Sequence, residues 1–175
     1  MYREGNSIVV RFVGSIITSM ELKREQILTF LAEHNLMSIA TYGDFPWIAS
    51  VYYTFDKDLH LFFLSSPSTL HCKQISKNKH VAVSIADSHQ DISKLKRGLQ
   101  LWGIAEQISG VAKIKHTLDL WKSSLKVINP ELTYENMVKH VIHGRMYMIT
   151  PHRVKLFDQH LFDVEDGMEP VLNLK

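Results

Sequence analysis

The sequence predicts a mainly β protein, a closed or nearly closed antiparallel barrel of six strands flanked by helices. Three observations carry that reading. Short runs of apolar residues repeat with period two and are separated by turn residues. Stretches with helical spacing lie between and around those runs rather than alternating strictly with them. The length, 175 residues of which 45% are hydrophobic, suits one domain with a full core.

In chain order, the spacing of Leu22, Ile27, Leu28 and Leu31 predicts an amphipathic helix from Met20 to His34, stopped at Asn35. Alternation then predicts strands over Leu36 to Tyr42, Trp47 to Phe55 and Leu59 to Leu64, joined by turns at Gly43-Asp44 and Asp56-Lys57-Asp58, which makes an antiparallel meander. Ser65-Ser66-Pro67-Ser68 breaks the third strand, and Ser68 or Thr69 is placed to cap a short helix through Ile75. A fourth strand spans His80 to Ala86, and a polar loop follows over residues 87–96. The long strand Arg97 to Ile108 contains Gly98 and Gly103, which signal a bulge or the close approach of another group. Helical spacing returns at Val111 to Leu125 and at Glu131 to Val141; strand patterns resume at Arg145 to Thr150 and Val154 to Phe157, with a break expected at Pro151.

Composition excludes several function classes. Twenty Lys and Arg against eighteen Asp and Glu leave a net charge of +2, with the basic residues scattered among acids, so no nucleic-acid partner is expected. A lone Cys72 can form neither an internal disulfide nor a Cys-rich zinc site, which favours a reducing, cytoplasmic setting. Arg11 splits the apolar stretch near the start into pieces too short for a signal-peptide core, and no run is long enough to span a membrane. His140, His143, His152 and His160 form no recognised metal motif, so no metal is expected. Cys72 reads as a buried inert thiol, because neighbouring helical residues point to different faces and the His71–Cys72 pair is no dyad by spacing.

A helix is followed by a strand, Gly43-Asp44-Phe45-Pro46 and a second strand; a third strand leads into Ser65-Ser66-Pro67-Ser68-Thr69 with Lys73 and Ile75 beyond; and a later strand carries Arg97-Gly98-Leu99-Gln100 with Gly103. This order resembles the FMN-binding split barrels related to pyridoxamine 5'-phosphate oxidase, above all their small single-domain bacterial members. The resemblance covers residues 20–157, leaving residues 1–19 as an N-terminal extension and 158–175 as a C-terminal tail. It implies a split barrel that forms a homodimer, with FMN at the interface in sites built from both chains, and oxidoreductase activity on an unknown small molecule. Two alternatives stay open: a non-catalytic module that has lost its cofactor, and a haem-binding split barrel.

The resemblance also implies a site. Trp47, Ala49, Ser50, Val51 and Tyr52 match the strand that runs beside the flavin ring; alternation puts Ser50 and Tyr52 on one face and Ala49, Val51 and Tyr53 on the other. Plain barrel filling explains these residues equally well. The phosphate-binding segment matches Ser65, Ser66, Thr69, Leu70, His71 and Lys73; the family lysine falls on His71 and its usual arginine on Thr69 or Leu70, so the Arg/Lys pair is not matched. A helix N-terminus, hydroxyl donors and a protonated His71 are the available substitutes, and on that reading affinity falls as pH rises through the histidine range. Gln100 and Trp102 match residues that reach the neighbouring subunit's flavin, with Arg97 a stand-in for the missing arginine. A solvated strand end suits Arg97 as well, and a core or interface role suits Trp102. No catalytic residue is assigned, since redox chemistry resides in the flavin.

Overall fold

The computed structural model describes residues 7–8, 20–162, 164–165 and 167–174. Strand β1 (Ser7–Ile8) pairs antiparallel with β2 (Met20–Glu21). That ladder delays the first helix, α1 (Arg24–Ala32), which starts four residues later than the sequence suggests. The Lys23 amide donates to Gln26 Oε1 at 2.8 Å at its start, and Ile27, Phe30 and Leu31 form its buried face.

The meander follows as β3 (Leu36–Tyr42), β4 (Pro46–Phe55) and β5 (Leu61–Ser65). Asp56 builds the second turn by accepting from the amides of Asp58 and His60 through Oδ1. Helix α2 (Leu70–Lys77) leads to β6 (His80–Ile85) and β7 (Arg97–Gln107), then to α3 (Val111–Ser124) and α4 (Tyr134–Val138). The last strands are β8 (Arg145–Asp158) and β9 (Val171–Asn173). The sheet order is β5-β4-β3-β6-β7-β8-β9, and a β5–β8 ladder closes the first six into an antiparallel barrel, with β9 an added edge strand.

Three features differ from expectation. Pro151 does not break the final strand: β8 runs through it, because Trp102 pairs with Arg153 and Gly103 with Pro151, leaving His152 as a bulge where the missing amide is tolerated. Helix α4 covers only part of 131–141; Thr133 caps it through the Asn136 amide, and His140 adopts a left-handed φ of 59° just beyond it. The tail contributes β9, paired with Arg153 to Lys155.

Two apolar layers hold the molecule. Ile39, Leu61, Phe63, Ile85, Leu99, Ile149 and Leu156 fill the barrel together with the buried face of α1. Outside it, Leu118 and Trp121 of α3 and Met137 of α4 pack on Phe62, Met146 and Met148, so helices cover the outer face around β5 and the first half of β8. Among the described residues, α3 and α4 leave the outer faces of β3, β6, β7 and the second half of β8 uncovered.

Candidate functional site

The barrel wall opens at one seam. Strand β4 pairs with β5 only over Tyr53–Phe55, opposite Leu61–Phe63, whereas its first seven residues pair with β3 alone. At the same level β5 has turned to β8, pairing Ser65 with Arg145. Among the described residues, the first half of β4 therefore has no ladder partner on this edge, which leaves a set of backbone donors and acceptors for a ligand. The Tyr52 carbonyl is the exception, accepting from Trp121 Nε1 at 3.3 Å.

The side chains along this edge follow the expected alternation. Val51 and Tyr53 are buried and Ala49 half-buried on the barrel side, while Ser50 and Tyr52 face outward and Trp47, near the turn, is largely exposed. The turn before β4 is fixed by α2: Gln74 accepts from the Thr41 hydroxyl and donates to the Phe45 carbonyl at 3.0 Å. Gly43 sits against that glutamine, where a Cβ would come 3.1 Å from Gln74 Cγ.

Behind the seam lies a buried polar cluster at the start of α2. The His71 Nε2 hydrogen-bonds Ser65 Oγ at 2.8 Å and lies 3.3 Å from Thr69 Oγ1, and the ring is only 7% exposed. Thr69 holds the N-cap position, yet its hydroxyl donates back to the Ser66 carbonyl at 2.8 Å and leaves the first amides of the helix uncapped by a side chain. Ser66 and Ser68 hydrogen-bond each other, Leu70 is partly exposed and Lys73 is exposed. Cys72 joins this cluster, contrary to the inert thiol that helical spacing suggests, because both faces of the first turn are walled in. Burial raises its pKa, but the polar side chains of His71, Thr69, Tyr147 and Ser65 around it outweigh that and bring it down to about 7. Burial, with the thiol beside it, raises Tyr147 instead.

The other sequence candidates lie elsewhere. Arg97 pairs with Asp158 at the far end of β8 from the Arg145–Ser65 register. Its Nε donates to Asp158 Oδ2 and its Nη1 to Glu33 Oε2, both at 2.7 Å, and its guanidinium stacks over Phe30. It is a clamp between α1, β7 and β8, not a companion of His71. Gln100 and Trp102 point outward from β7, with the Trp102 indole stacked on His152 at 5.0 Å.

Three residues that the sequence did not mark as site candidates stand out. Tyr147 borders Cys72. Arg145, level with Ser65, donates to the Ile142 and Gly144 carbonyls and lies 3.2 Å from His140 Nδ1, with no carboxylate partner among the described residues. Arg153 follows the bulge on the outer face of β8. Cross-strand register brings these into play, and a single strand's alternation does not reveal it.

Among known proteins, no curated sequence matches the chain. The likeness to solved structures is one of fold. A conserved hypothetical protein from Mycobacterium tuberculosis is 15% identical with a TM-score of 0.64, covering 83% of this chain and 94% of that one. An FAD-binding protein from Mesorhizobium loti is 16% identical with a TM-score of 0.55, covering 76% and 90%. A heme binding protein from Mycobacterium smegmatis is 18% identical with a TM-score of 0.60, covering 86% of this chain and 57% of its own. The family model for pyridoxamine 5'-phosphate oxidase matches residues 24–138, from the first helix through the seam, the polar cluster and the glycine-bearing strand to the end of α4. With that match over most of its length and a six-stranded antiparallel barrel, the chain belongs to the pyridoxamine 5'-phosphate oxidase-like split-barrel family.

Proposed function

We propose that the seam between β4 and the start of α2 binds FMN, and that the chain works as a homodimeric FMN-dependent oxidoreductase on a small molecule. The observation that carries this reading is the unpaired edge of β4 lying across from the hydroxyl-rich turn of Ser65, Ser66 and Thr69. Backbone groups of Trp47 to Tyr52 suit the polar edge of a flavin, and Ala49 and Val51 offer it an apolar wall. The amides of Leu70 and His71, the Ser65, Ser66 and Thr69 hydroxyls and Lys73 suit its phosphate. Arg145 is the cation on the adjacent strand that can make good the absent family arginine. FMN supplies hydride and electron transfer; the chain's own residues bind, orient and exclude water. A second copy set against the bare outer face contributes its Gln100 and Trp102.

Absorption of the purified protein, and flavin fluorescence quenching on titration with FMN, test the reading. Saturable quenching that is weakened by Ser65→Ala with Thr69→Val supports it; a folded protein that ignores FMN overturns it in favour of a binding module without flavin. A Soret band with added haem, in place of flavin bands, assigns the seam to haem. FMN affinity that weakens in Arg145→Gln but not in His71→Gln assigns the phosphate charge to Arg145, and the reverse pattern assigns it to His71.

A further inference from the structure

One buried side chain of α2 joins the polar cluster at the start of that helix to the hairpin that leads into β4. The first turn of α2 carries His71, beside the Ser65 and Thr69 hydroxyls. Three residues on, and so on the same face of the helix, Gln74 reaches the hairpin turn. Its Oε1 accepts from the Thr41 hydroxyl and its Nε2 donates to the Phe45 carbonyl at 3.0 Å, so the amide grips both arms of the turn. Thr41 pairs directly with Trp47, and Phe45 precedes Pro46, the first residue of β4. The place of the open strand edge is thereby tied to the place of the helix turn across from it.

This tie is directional where the neighbouring contacts are not. Ile75 packs the same helix into the barrel core through apolar contact, which has no preferred direction and tolerates a small slide. A buried amide does not tolerate one. Gln74 is 5% exposed and Thr41 3%, so a displacement of about 1 Å would leave a donor and an acceptor unpaired away from water. A buried polar pair whose members are all satisfied selects one arrangement of the elements that carry it. Gly43 lets the turn lie against the glutamine, where a side chain would push it away.

We infer that Gln74 is a positioning residue that holds the two halves of the seam at one span, and that this fixed span makes the seam favour a phosphorylated flavin over the same flavin without its phosphate. The inference rests on the flavin reading and deepens it by assigning the source of its selectivity. A ligand that reaches two subsites at once benefits from the second only as far as their spacing is preset, because ordering them on binding otherwise offsets the added contact. Riboflavin engages the ring half alone and is indifferent to the span, whereas FMN engages both halves. The Gln74 amide is itself committed to Thr41 and Phe45, so it acts through them and through the first turn of α2.

The test uses the full chain and compares the dissociation constants of FMN and riboflavin, each read by quenching of flavin fluorescence. Gln74→Met keeps the length of the side chain and removes both hydrogen bonds; Thr41→Val removes one, and as the smaller change it serves if the first variant fails to fold. The unaltered chain is expected to bind FMN more tightly than riboflavin. The ratio of the two constants is expected to fall at least about fivefold in Gln74→Met and about twofold in Thr41→Val, with riboflavin affinity nearly unchanged in both. A purely structural role would weaken the two flavins by the same factor and leave the ratio in place. Equal weakening, no change in either constant, or a larger loss for riboflavin overturns the inference and leaves the flavin reading standing. An unaltered chain that binds FMN no better than riboflavin also overturns it, since there is then no phosphate half to align. Binding of neither flavin ends the flavin reading, and this inference with it.

Discussion

The Cys72 thiol shows how a few neighbours can reverse the effect of burial. In the unfolded chain a thiol ionises near 9, and in the folded one the side chains of His71, Thr69, Tyr147 and Ser65 bring it to about 7. A depressed pKa stabilises the fold above the unfolded value and ceases to do so as pH falls through the folded one. Stability should therefore rise from about pH 7 to 9, by up to about 2 kcal/mol, and level off beyond. Urea midpoints across that range should lose this slope in Cys72→Ser, and an identical slope in the variant would show that the thiol is not the source. Arg97 gives a second contrast between two partners of one cation. The Asp158 side chain is 1% exposed and that of Glu33 45%, so Arg97→Gln, which strands the buried carboxylate, should cost about 2–3 kcal/mol, and Glu33→Gln less than about 1. Thermal or urea denaturation of the two variants checks the order. Neither effect could be seen in the sequence, where Cys72 looks like filler and Arg97 suits a phosphate or a solvated strand end equally. Both depend on what another strand places opposite.

Among the elements, β7 and β8 carry most of what the sequence could and could not say. The two glycines of β7 signal a bulge or a close approach, and each option is realised once: Gly98 lies under the Phe157 ring, and Gly103 stands at the bulge against the Thr150 carbonyl. A methyl group at 98 would meet a side chain that can turn, and one at 103 would meet backbone that cannot. Gly103→Ala should accordingly destabilise more than Gly98→Ala, with costs of about 1–3 kcal/mol at the lower end, and melting temperatures of the pair would expose the reverse order. Pro151 was the misleading signal. A proline within an apolar run reads as an end, and only its pairing with Gly103 shows that β8 continues. The extra residue also shifts the side-chain alternation, so that Tyr147 and Ile149 point inward before it, as do Val154 and Leu156 after it. That shift turns Arg153 and Lys155 outward together. The β4 alternation, with no bulge to disturb it, was legible from the residues alone.

At the scale of the whole molecule, the described residues clothe the barrel with helices on one side and leave the other uncovered. Helices α3 and α4 bury Phe62, Met146 and Met148, while Ile48, Tyr52 and Trp102 stay 66%, 57% and 44% exposed across the uncovered strands. An apolar exposure of that kind marks an interaction surface. If a second copy uses it, light scattering should give the mass of two chains, and Ile48→Lys should return one with an unchanged circular dichroism spectrum; a variant that stays dimeric would place the interface elsewhere. The order of strands and helices was readable in advance because periodicity is local, whereas the seam and the uncovered face follow from which strands become neighbours. The ladder between β5 and β8 carries a further consequence, for the order of events in folding. It joins Leu61 to Ile149, so β5 and β7 keep unpaired edges until the last long strand has been made. The matched family segment stops at residue 138, ahead of that strand. On a ribosome, most of the cleft's residues would emerge early and remain without a cleft, and a ligand could be received only by a nearly finished chain.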